Sequence, residues 1–168
     1  MTFIQANGNS LVYPAVLADL TVAGGAVTEL TSGAITLTEG KVYNWFSQII
    51  AATPSTNGTF YPILNSDSTL ANYRQGLMTS GGSHLETSTL YGGIANAADS
   101  AIMSGTIRQF NGKVFTEYYF ISMNTSGLAR KGNTGYWHAS IATVTGFSIY
   151  SQYALGIDNG SKLKIWEA

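Results

Sequence analysis

The dipeptide Asn111-Gly112 stands between two alternating runs, Gly105–Phe110 before it and Val114–Met123 after it. Asparagine and glycine both tolerate positive φ, which a type I′ turn demands at its two central positions, so this segment predicts a β-hairpin. A period of two puts Val114, Thr116, Tyr118, Phe120 and Ser122 on one face of the second run. Phe115, Glu117, Tyr119, Ile121 and Met123 take the other. Both faces are largely apolar, and a two-stranded hairpin cannot bury both by itself. Either a loop of the same chain covers the second face, or a neighbouring subunit does.

The rest of the chain repeats the strand pattern at short intervals. Ala34–Leu37, Val42–Ala51, Phe60–Asn65, Leu70–Met78, Ser140–Tyr150 and Lys162–Trp166 read as further strands, with Gly135–Ala139 leading into the Ser140 run. Polar clusters at Thr53–Gly58, Ser80–Ser83, Gly127–Gly135 and Asp158–Gly160 read as the turns between them. Helix signals are confined to Tyr13–Leu20 and the alanine-rich Ile94–Met103, the latter readable also as an irregular connection. The expected fold is all-β: an antiparallel, jelly-roll-like β-sandwich with little helix, built from about eight to ten strands. Residues 31–168 form the sandwich domain in this reading. Residues 1–30 read as an N-terminal arm or added edge element, or as an ordinary first strand with a loose terminus.

Composition narrows the partners. Only 10% of the 168 residues are charged and the net charge is −1, while Gly, Thr, Ser and Asn together supply 66 residues. A surface so poor in charge does little to hold copies apart. Eight scattered Lys and Arg make no footprint for nucleic acid. No apolar run is long enough for a membrane-spanning helix, and Met1–Ser10 lacks the basic flank and apolar core of a secretory signal. With no cysteine there is no disulfide framework, thiolate metal site or cysteine nucleophile.

The groups capable of chemistry are dispersed. His84 lies two residues from Glu86 in a Gly/Ser-rich stretch and reads as solvated loop; His138 follows Trp137 and reads as packed or hydrogen-bonded. Asn65 and Asp67 are placed to close Asx-turns before Asn72-Tyr73 restarts a strand, and Asp158-Asn159-Gly160 has the same turn chemistry. Calcium would need six to eight oxygens, and the Asn65–Tyr73 segment offers one carboxylate. The expectation is therefore a protein with no catalytic residues, no cofactor and no metal. In the last strand Leu163 and Ile165 point one way and Lys162, Lys164 and Trp166 the other, so the first pair belongs in the core. The candidate interface residues are Phe115, Tyr119, Trp137 and Trp166.

Three segments together carry a family resemblance. Tyr43–Ile50 is followed, after a polar loop, by Ile63-Leu64-Asn65-Ser66-Asp67-Ser68-Thr69-Leu70-Ala71-Asn72-Tyr73. Gly105–Phe110 leads through its hairpin partner and a glycine-rich stretch to Gly135-Tyr136-Trp137. Ile141–Ile149 precedes the ending Leu155–Trp166, whose last strand opens on Gly160-Ser161 and closes on an aromatic. In this order, over roughly residues 35–166, they resemble small virion proteins of tailed bacteriophages. Thr38–Lys41 departs from that pattern, which often has an Ile-Pro turn there. The resemblance implies a jelly roll, a homo-oligomer of trimeric habit, and a structural place on the virion after assembly in the host bacterial cytoplasm. Its partners would then be further copies of the chain and the major capsid protein or other virion proteins, with no nucleic acid or membrane. The first expected function is a non-enzymatic capsid decoration or cement protein that stabilises the shell. The alternatives are a tail-fibre or receptor-binding tip recognising host surface glycans, and a free lectin-like module.

Overall fold

The computed structural model describes residues 3–4, 10–11, 14–52, 58–78, 84–87, 93–95, 100–124, 127–138, 141 and 143–168. Its strands in chain order are β1 (Phe3–Ile4), β2 (Ser10–Leu11), β3 (Val16–Thr21), β4 (Glu29–Thr31), β5 (Val42–Ile50), β6 (Gly58–Leu64) and β7 (Tyr73–Met78). They continue with β8 (His84–Thr87), β9 (Gly93–Ala95), β10 (Ser100–Phe110), β11 (Lys113–Asn124), β12 (Gly127–His138), β13 (Phe147–Ser151) and β14 (Lys162–Glu167). No α-helix occurs among the described residues; a single 3₁₀ turn, Leu70–Asn72, precedes β7. One sheet has the order β3-β14-β5-β10-β11-β12-β7-β8 and a second the order β4-β13-β6-β9, all pairs antiparallel. The chain crosses repeatedly between them, and the result is the all-β sandwich that the strand pattern predicts.

Alternation fixes which face of the large sheet turns inward. Tyr43, Trp45, Ser47 and Ile49 of β5, Ala101, Met103 and Ile107 of β10, and Val114, Thr116 and Tyr118 of β11 are buried. So are Leu163 and Ile165 of β14. Phe60, Leu64, Phe147, Ile149 and Leu30 of the small sheet belong to the same core. Trp45 sits at its centre, 5.0 Å from the Phe147 ring and 5.9 Å from Tyr118. Gly105 lies in register between Trp45 and Tyr118. A Cβ there would come within 2.7 Å of the Tyr118 Cβ and collide with the Glu117 carbonyl, so only glycine fits.

The hairpin forms as expected, with φ of 50° at Asn111 and 65° at Gly112. Glu39 pins it by accepting the Asn111 N–H at 2.8 Å. Several expectations fail locally; of the strand expected at Leu70–Met78, Leu70–Asn72 is the 3₁₀ turn and β7 starts only at Tyr73. Of the helix expected at Tyr13–Leu20, the residues from Val16 onward are instead the edge strand β3, within which Ala18 pairs inward-facing Ile165 and Asp19 pairs outward-facing Lys164; Tyr13 lies outside the described residues. The described parts of Ile94–Met103 are strand, the end of β9 and the start of β10, where Ala101 and Met103 are buried and Ile102 exposed; residues 96–99 lie outside the described residues. The turn expected at Gly127–Gly135 is most of β12, a strand hydrogen-bonded to β11 and β7, whose ladders outweigh the weak strand propensity of glycine. Ala34–Leu37 forms no strand, although Ile35 and Leu37 are buried. Of Ser140–Tyr150 only residues from Phe147 onward are strand; Ala139, Ser140 and Ala142 lie outside the described residues. Of the turn expected at Thr53–Gly58, Gly58 opens β6 and residues 53–57 lie outside the described residues, as does the turn expected at Ser80–Ser83.

Candidate functional site

The densest polar cluster among the described residues lies where β12 ends beside the turn after β6. Asn65 and Ser66 both adopt positive φ, 52° and 55°, and the Asp67 N–H closes the turn on the Leu64 carbonyl at 2.9 Å. Asp67 Oδ1 accepts the Thr69 N–H at 2.9 Å, the expected Asx-turn. Its Oδ2 accepts from Asn72 Nδ2 at 2.8 Å and faces His138 Nε2 at 2.7 Å. The Ile141 N–H donates to His138 Nδ1 at 3.0 Å, which places the ring proton on Nε2, donated to Asp67. The imidazole is buried and stands edge-on to Tyr73 at 4.7 Å. Burial acts to raise the Asp67 pKa, but hydrogen bonds from Asn72, His138 and Thr69 outweigh it and lower it from 3.8 to about 2.

This cluster resembles an acid–base pair and is built as a fastener. Both imidazole nitrogens and both carboxylate oxygens are engaged in holding backbone and turn. Asn65 departs from its expected local role. Its Oδ1 accepts the Thr145 and Gly146 N–H groups at 2.8 and 3.1 Å, and its Nδ2 donates to the Thr143 carbonyl at 2.9 Å. Asn65 thus ties the 143–146 segment to the turn. Asp158 accepts the Asn159 N–H at 2.7 Å within its own turn. Among the described residues no group of three or more His, Asp or Glu could hold a metal ion. His84 and Glu86, expected in a loop, belong to strand β8; their side chains lie outside the described residues.

The outward face of the large sheet is the other candidate. Register sets its rows across the strands. Val42, Arg108, Phe115, Trp137 and Arg74 form one. Trp166, Asn44, Thr106, Glu117 and Gly135 form the next, and Lys164, Phe46, Ser104 and Tyr119 the third. Lys162, Gln48, Ile102 and Ile121 form the fourth. All four candidate interface residues lie on this face: Phe115 and Tyr119 are 41% and 40% exposed, Trp137 and Trp166 half-buried. Among the described residues no loop covers the second face of β11 over Phe115–Tyr119.

Near the hairpin turn this face dips into a depression of about 320 Å³ lined by Thr106, Arg108, Phe110, Phe115 and Glu117. Sequence reasoning singled out Phe115 there and passed over Arg108 and Phe110. The one available signal was the shared parity of Arg108 and Phe110, which places both opposite the buried Ile107 and Gln109. No protein-family model and no curated protein matches the chain, so function is argued from this surface and from the sequence.

Proposed function

We propose that the chain is a non-enzymatic structural protein of a tailed-bacteriophage virion that decorates the capsid and cements neighbouring shell subunits. The resemblance supplies the virion. The role rests on one observation: large apolar side chains are exposed in two separate places, on the large sheet and in the loop that follows β13. On the large sheet they include Ile102 and Tyr119, with half-buried Phe46 and Ile121 beside them. The loop after β13 exposes Tyr153 and Leu155, 47% and 60% accessible. Leu155 has a φ of 53°, a conformation unfavourable for a branched side chain and held by its N–H bond to Thr28 Oγ1 at 2.9 Å. A protein lodged between neighbours needs more than one contact surface, and exposed apolar patches of this kind mark such contacts. The commitment of His138 and Asp67 to structural bonds supports the non-enzymatic reading.

Immunogold labelling of purified particles, followed by location of the chain in a density map, tests the proposal. Label over the shell is the expected result. Label confined to tails would overturn decoration and favour the second reading, a receptor-binding tip recognising host glycans, for which the depression beside the hairpin turn speaks.

A further inference from the structure

We infer that the depression at the hairpin end of the outward face is a binding subsite for an uncharged sugar. This reaches beyond the decoration proposal and does not depend on where the chain sits on a particle. Along β10, at about 3.4 Å per residue, the lining runs from about 14 Å beyond Ile102 at Thr106 to about 27 Å at Phe110, so a neighbour seated on Ile102 leaves the hairpin end of the depression open.

The chemistry of the lining selects the ligand. Phe110 and Phe115 expose flat apolar surface, 65% and 41% accessible. Arg108 and Glu117 lie on adjacent strands, with Arg108 opposite Phe115 and Glu117 opposite Thr106. Neither makes an ion pair among the described residues. The floor therefore offers a guanidinium fork that only donates, a carboxylate that only accepts, and the Thr106 hydroxyl. Small neighbours flank Glu117: Thr106 on one side and Gly135 on the other, where a Cβ would sit 3.5 Å from the Glu117 Cγ. The carboxylate thus lies in a low part of the face beside taller aromatic side chains.

A sugar hydroxyl both donates and accepts, so adjacent hydroxyls of one ring satisfy Glu117 and Arg108 together. The C–H face of the ring covers the phenyl surface. The two charges sum to zero, which favours a neutral ligand over an anion facing Glu117 or a cation facing Arg108. An extended peptide adds to a sheet through free backbone groups. Here β10 is hydrogen-bonded between β5 and β11, and β11 between β10 and β12, so no strand edge is open. The volume is at the lower end of the roughly 300–1,000 Å³ of small-molecule clefts, suited to one or two sugar rings. The wall is already fixed, because Glu39 holds the Asn111 turn and the Gln109 carbonyl accepts the Gly40 N–H at 2.9 Å.

The test is an array of neutral, sialylated and sulfated oligosaccharides probed with the full chain. Calorimetric titration of the best neutral ligand into Phe115→Ala, Arg108→Gln and Glu117→Gln follows. Tyr153→Ala, exposed in the loop after β13 and outside the depression's lining, is the control. Neutral glycans should bind in preference to charged ones. Each cleft variant should weaken binding roughly tenfold or more, because a sugar hydroxyl or ring face loses its partner. The control should bind unchanged, and melting curves should stay close to wild type because the altered side chains are exposed. Absence of neutral-glycan binding at millimolar sugar overturns the inference, as does preference for anionic glycans or indifference to the cleft variants. So does a result in which those variants dissociate an oligomer, which would assign the cleft to a second copy. Sugar binding by a chain absent from virions would sink the decoration proposal and leave this one standing.

Discussion

The Asp67 carboxylate receives hydrogen bonds from the Thr69 N–H, Asn72 and His138, and these hold its pKa down at about 2. A carboxylate with a depressed folded pKa contributes stability that is fully present above its unfolded value, near 3.8, and is lost as pH falls through about 2. The shift corresponds to about 2 kcal/mol. Denaturant unfolding measured between pH 7 and pH 2 should show that loss in the wild type. Asp67→Asn should shrink the acid loss by the same amount while costing about 2 kcal/mol at pH 7, because its amide group faces donors that then lack an acceptor. Equal acid limbs in the two proteins would mean that Asp67 is not the titrating fastener. Sequence exposed half of this arrangement. The Asx-turn is local and therefore legible in the spacing of Asp67 and Thr69. The His138 contact joins residues 71 apart, and no local pattern encodes it. Asn65 was misread for the same reason, since its bonds reach 78 to 81 residues along the chain.

Strands with a clean period of two were legible, and β14 is the clearest case: Leu163 and Ile165 are fully buried, while Lys164 faces out to pair with Asp19 at 3.0 Å. Leu163→Ala should cost about 2–5 kcal/mol through lost burial and a cavity. Trp166→Ala should leave the thermal melt nearly unchanged and weaken self-association, as sedimentation of the same samples would show. A Trp166→Ala protein that unfolds while Leu163→Ala is harmless would invert the register. The failures came where local preference and tertiary pairing disagree. The glycine-rich 127–135 stretch has turn chemistry by composition, yet β11 pairs along it and β7 takes up its end at Thr134 and Gly135. Alanine at 95, 97, 98 and 101 suggested helix, but alternate burial of Ala101 and Met103 holds the end of that stretch as strand. Gly105 read simply as a strand start; its purpose appears only when Trp45 and Tyr118 are seen to flank it. Gly105→Ala should destabilise by about 3 kcal/mol, since backbone and not a flexible tip stands in the way. It should also perturb the near-ultraviolet dichroism of Trp45. A wild-type melt for this variant would show that β10 and β11 can separate at no cost.

Across the whole molecule, a net charge of −1 combines with an exposed aromatic sheet face, and each removes a barrier to self-association. The far end of that face, with Phe46, Ile102, Tyr119 and Ile121, has lysines at its rim, at positions 162 and 164 on one side and, opposite Ile121, at position 131 on the other; Lys164 is already paired to Asp19. Covering it would bury apolar surface while desolvating few charges, so the resulting contact should be insensitive to salt. A stable interface needs about 800 Å² from each partner, and closed symmetry would use the same patch on every copy. We therefore expect a homo-oligomer, a trimer by the resemblance, that persists from 0.1 to 1 M sodium chloride at about micromolar concentration. Ile102→Lys and Tyr119→Lys should each shift it to a folded single chain, because a lysine on this face is tolerated by the monomer and buried without a partner in the assembly. Light scattering after size exclusion decides the matter. A 17.8 kDa wild-type species at both salt concentrations would show that no second copy covers the face. An oligomer that dissolves in salt would show that charges, and not the aromatic face, hold the copies together.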